Sequence, residues 1–103
     1  MGIDVRLEGE DGRVLEEVGD GRMVLARACQ ASLAGTRLLR YLMPYGDTVF
    51  NQAQAQAQDL RDDIREVMRE HSGTPLADMA SRIEPMAERL LSETHLYLWF
   101  VGD

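Results

Sequence analysis

The sequence predicts an α+β domain: a small antiparallel sheet, built from an N-terminal hairpin and the C-terminal strand, covered on one face by three to four helices. Three observations predict it. The first residues alternate between apolar and charged, the last segment is apolar on both faces, and the middle of the chain places apolar residues at helical spacing. At 103 residues the chain has one domain's length, so residues 1–103 are read as a single domain.

Ile3, Val5 and Leu7 alternate with Asp4, Arg6 and Glu8, the period of a strand with one buried face. Gly9-Glu10-Asp11-Gly12 reads as a turn, and Arg13 to Val18 alternates poorly enough to suit an edge strand. Residues 2–18 are therefore a hairpin. Asp20 stands where it would cap a helix over Met23 to Leu33, in which Val24, Leu25, Ala28 and Ser32 lie near helical spacing and Gly35 supplies the stop. Residues 36–43 stay open between strand and helix, because the short apolar run Leu38, Leu39, Tyr41, Leu42 and Met43 fits either; Pro44 and Gly46 then force a turn.

Asn51 and Gln54 resemble a capping box with Phe50 as a hydrophobic staple, so the next helix is expected to start near Asn51. The repeat from Gln52 to Gln58 alternates like a strand, yet alanine and glutamine favour helix, and composition overrides the period. Ala53, Ala57, Leu60, Ile64, Val67, Met68 and His71 trace its apolar stripe. Thr74 and Pro75 are the N-cap and first residue of another helix, whose stripe runs through Leu76, Met79, Ala80, Ile83, Ala87, Leu90 and Leu91. Pro85 interrupts that stripe and predicts a kink or two short helices. From Thr94 to Val101, Leu96, Leu98 and Phe100 oppose Tyr97, Trp99 and Val101, as in a central strand beside the N-terminal ones.

Composition bounds the function. Hydrophobic residues make up 45% and charged residues 28%, a globular rather than a disordered balance. Cys29 is the single cysteine, so no internal disulfide or Cys-rich zinc site can form, which suits a reducing cytosol. The N-terminus lacks a basic start followed by an apolar run, and no window approaches a bilayer span, so a cytoplasmic protein without membrane contact is expected. All 11 positive residues are arginine, against 18 acids, for a net charge of −7. Nucleic acid is therefore not expected as a partner. Residues 21–50 alone run the other way, with Arg22, Arg27, Arg37 and Arg40 against Asp47; internal neutralisation is the favoured reading over a basic patch.

Few residues carry a chemical signal. Tyr45, Asp47 and Thr48 read as a helix entrance that either caps itself or holds a small anionic ligand. His95, Tyr97 and Trp99 share a strand face that completes this candidate ligand site if the turn packs over the sheet. His71 and His95 have no metal-ligand spacing, and Cys29 lacks a base placed by sequence, so no metal, cofactor or catalytic residue is assigned. Arg61, Arg65 and Arg69 read as a solvated helix face.

Two stretches, Pro44-Tyr45-Gly46-Asp47-Thr48-Val49-Phe50-Asn51 and His95-Leu96-Tyr97-Leu98-Trp99-Phe100-Val101-Gly102-Asp103, together with Met1-Gly2-Ile3-Asp4 and Leu15-Glu16-Glu17-Val18, resemble a family of small uncharacterised bacterial proteins. The resemblance covers about a third of the chain. It implies a stand-alone bacterial cytosolic protein and carries no catalytic residues across. Negative charge without a catalytic constellation points to a non-catalytic interaction protein, either a homodimeric accessory protein or an immunity- or antitoxin-like inhibitor that binds another protein. The competing reading is a small enzyme or ligand-binding protein using the Tyr45, Asp47, Thr48 and His95 region.

Overall fold

The computed structural model describes residues 2–29, 33, 35–51 and 54–102. Strands β1 (Ile3–Gly9), β2 (Val14–Val18), β3 (Asp47–Asn51) and β4 (Leu96–Gly102) form one antiparallel sheet in the order β2-β1-β4-β3. Between them lie helices α1 (Val24–Ala28), α2 (Gln54–Glu70) and α3 (Pro75–Ser92), with a 3-10 turn at Leu39–Tyr41. The α+β architecture is the one the sequence predicts, with β1 and β4 paired along their full length at its centre.

One face of the sheet makes the core. Ile3, Val5 and Leu7 of β1 and Leu96, Leu98 and Phe100 of β4 are buried, while the residues between them are partly exposed. Leu60, Ile64 and Val67 of α2 and Met79, Ile83, Met86 and Leu90 of α3 join the same cluster. Burying a side chain of this size stabilises by about 1.5–3 kcal/mol, which is why apolar periodicity locates both long helices so well. Thr74 is the N-cap of α3, accepting from the Ala77 amide, and Pro75 stands at its start, as expected.

Four expectations need correction. Residues 47–51 are a strand, not a helix entrance, and α2 begins only at Gln54. Thr48, Val49 and Phe50 are β-formers, and Phe50 packs edge-on against Phe100 of β4 with ring centroids 5.6 Å apart, so burial in the sheet outweighs local capping. Phe50 is thus a sheet residue, and Asn51 is the last residue of β3.

The helix expected from Met23 to Leu33 is the short α1; Gln30, Ala31, Ser32 and Ala34 lie outside the described residues, as do Gln52 and Ala53 of the repeat. Its N-cap is Met23, in the left-handed region at φ 56, and Asp20 caps from three residues earlier by accepting from the Leu25 and Ala26 amides. Residues 36–43 form no strand; their one regular element is the 3-10 turn. Buried Asp63 of α2 holds its entrance by accepting from the amides of Arg37, Leu38 and Leu39.

Helix α3 runs unbroken through Pro85. The ring sits on the exposed side, and the Ser81 carbonyl that loses its partner belongs to an exposed residue that water can reach. The arginine stripe of α2 is a seam rather than a purely solvated face: Arg65 bonds Glu84 and Glu88 of α3, while Arg69 pairs with Glu66.

Candidate functional site

The segments around residues 44–51 and 95–102 are neighbours in space, because β3 and β4 pair with Asp47 opposite Val101 and Asn51 opposite Tyr97. Gly102 makes this junction possible. A Cβ there would lie 2.5 to 2.7 Å from the carbonyl oxygens of Met43, Pro44 and Gly46, and the Gly102 amide donates to the Gly46 carbonyl. The turn from Met43 to Gly46 is thereby fastened to the end of β4.

The six candidate ligand residues do not converge. Asp47, Tyr97 and Trp99 lie on the open face of the sheet, away from the helices. Thr48 lies on the opposite side with Phe100, its hydroxyl buried and without a hydrogen-bond partner among the described residues. His95 precedes β4 in the left-handed region, φ 61, and its ring is exposed beside Glu10 at 3.3 Å. It stands six positions before Val101, the partner of Asp47, so roughly 20 Å of chain divides Asp47 from His95. Tyr45 is 83% exposed on the turn.

Other reactive groups are structural in character. Cys29 is half-buried, its thiol donates to the Leu25 carbonyl, and burial, aided by the charge of Asp20, pushes its pKa up, away from a nucleophilic thiolate. Asp20 is buried with its carboxylate bonded to the amides of Ile3, Leu25 and Ala26, which ties the start of β1 to α1. Among the described residues no group of three or more His, Cys, Asp or Glu is placed to hold a metal ion. Among the described residues no helix is long and apolar enough to cross a membrane. No family model, curated protein or solved structure matches the chain.

What does stand out is the free side of β3. The Gly102 to Gly46 hydrogen bond fixes which residues face β4: Gly46 and, by alternation, Thr48 and Phe50. The N–H and C=O of Asp47 and Val49 therefore point away from the sheet. Val49 is 38% exposed, and Tyr41, Met43 and Tyr45, all exposed, lie in the segment that leads into the strand. Sequence reasoning missed this edge because it read residues 47–51 as the approach to a helix.

Proposed function

We propose that the protein is a non-catalytic interaction protein that works as a homodimer, joined by antiparallel pairing of β3 with the β3 of a second copy. The observation that carries this reading is the unguarded edge: five residues without bulge or proline, with the backbone groups of Asp47 and Val49 directed outward. A two-fold axis at Val49 opposes Val49 to itself, Thr48 to Phe50, and Asp47 to the uncharged Asn51, so no like charges meet. Exposed Tyr41, Met43 and Tyr45 supply apolar surface beside the strand. Main-chain bonds across such an edge give affinity, and the alternating side chains give register.

Sedimentation velocity over a concentration series tests this reading. A dimer is expected that dissociates on dilution and tightens as salt screens the mutual repulsion of two chains of charge −7. Val49→Lys sets two ammonium groups opposite one another and is expected to weaken the dimer by roughly tenfold or more while leaving the monomer folded. The acidic-inhibitor reading, favoured by the net charge alone, predicts the opposite dependence: a monomer whose grip on a basic protein weakens with salt.

A further inference from the structure

The arginines divide into two groups. Arg6, Arg37, Arg61, Arg65, Arg69 and Arg89 each lie in an ion pair with a carboxylate, and the Arg40 guanidinium stacks over the Tyr41 ring. The guanidinium groups of Arg13, Arg22, Arg27 and Arg82 form no ion pair or hydrogen bond among the described residues. In a chain with 18 acids for 11 arginines, leaving a cation without a carboxylate is the less expected outcome. Three of these four line one cleft.

That cleft lies between the turn after β2 and the first turns of α3. It consists of two adjoining hollows of about 460 and 320 Å³, which share Arg22, Val24 and Pro75. Arg82 lines the larger hollow, and Arg27 with His71 lines the smaller. Two carboxylates stand among these cations: Asp78, and Asp20, whose oxygens already accept from three backbone amides. Internal neutralisation, the expectation for residues 21–50, therefore holds for Arg37 through Asp59 but not for Arg22 or Arg27.

We propose that this cleft binds a small, multiply charged oxyanion of the phosphate type. Guanidinium groups match phosphate oxygens with paired, charge-assisted hydrogen bonds, and a hollow of this volume accepts a small molecule. The ligand is small because the surface around the cleft belongs to a chain of net charge −7, which repels an extended polyanion. The site is separate from the β3 edge, so its occupancy and the dimer can be tested independently.

Titration with inorganic pyrophosphate at low salt, followed by amide NMR shifts, tests the proposal. Saturating shifts are expected at residues 19–24 and 75–82, with an affinity that falls roughly tenfold or more in Arg22→Gln/Arg82→Gln. These exposed, unpaired side chains are outside the core, so the double variant is expected to keep its melting temperature. Arg13→Gln, which removes an unpaired arginine outside the cleft, should leave the affinity unchanged. Shifts that never saturate, or that Arg13→Gln weakens as much as the double variant, overturn the proposal. An oligonucleotide or an anionic vesicle that binds more tightly than pyrophosphate overturns the small-ligand assignment.

Discussion

On one side of the sheet β2 carries a bulge opposite Leu7 and Glu8, and its glutamates are engaged: Glu17 with Arg6 on the open face, Glu16 with Arg89 of α3. On the other side β3 carries neither bulge nor charge between Asp47 and Asn51, and its neighbourhood exposes Tyr41, Met43, Tyr45 and Val49. Self-pairing about the centre of β2 would bring Glu16 onto Glu16, whereas the same operation on β3 opposes Val49 to Val49. Edges this different in one small sheet teach that blocking association is a local property of a strand, set by a few side chains and one extra residue.

The anchors of the two edges differ as well. Beside β2 a buried carboxylate does the work, so Asp20→Ala strands the amides of Ile3, Leu25 and Ala26 and should cost about 3–5 kcal/mol, read by urea denaturation. Beside β3 the anchor is a close backbone approach. Gly102→Ala pushes the Met43 to Gly46 turn off β4, with an expected loss of about 1–3 kcal/mol and a weaker dimer in the same preparation. If Gly102→Ala proves more costly than Asp20→Ala, the ranking of the two anchors is reversed.

Smaller changes sharpen the contrast without unfolding the chain. Replacing both Glu16 and Glu17 by valine removes the charges of β2; stability should move by no more than about 1 kcal/mol, while light scattering should report association beyond a dimer. Arg89 holds the Glu93 carboxyl below its ordinary range through a direct hydrogen bond, and the same guanidinium binds Glu16. A carboxyl depressed on folding adds stability above its unfolded pKa and loses it as pH falls through the folded one. Arg89→Gln should therefore lower the melting temperature slightly at neutral pH and converge with the parent in acid, a small effect because the groups are exposed.

Much of this fold is legible in the sequence where the signal is local. The stripes from Leu60 to Val67 and from Leu76 to Leu90 repeat at helical spacing, and the alternation of β1 and β4 names their buried faces before any contact is known. β3 is not legible in that way: its ends, Asp47 and Asn51, look like helix caps, and what makes it a strand is a partner some fifty residues distant. Asp20 is legible as the cap of a helix, but its hold on the Ile3 amide 17 residues away is not, and Asp63 is legible only as an acid because the amides it holds lie 24 to 26 residues away. Of the candidate ligand residues, alternation places Tyr97 and Trp99 on one face correctly, whereas the positive φ of His95 puts it outside the strand. Arg22 and Arg27 already lie in the one basic segment of the sequence, but no motif joins them to Arg82; that the three line one cleft is visible only in the fold.

Hydrogen exchange at the Val49 amide separates self-pairing of β3 from any other dimer, because that N–H points away from its own sheet and toward the proposed dimer axis. With β3 paired to its copy, exchange at Val49 is expected to be slow in concentrated protein and to speed up on dilution, while Val14 on the bulged edge exchanges fast throughout. Fast exchange at Val49 in a solution that sedimentation shows to be dimeric would place the interface elsewhere and contradict the pairing of β3 with itself.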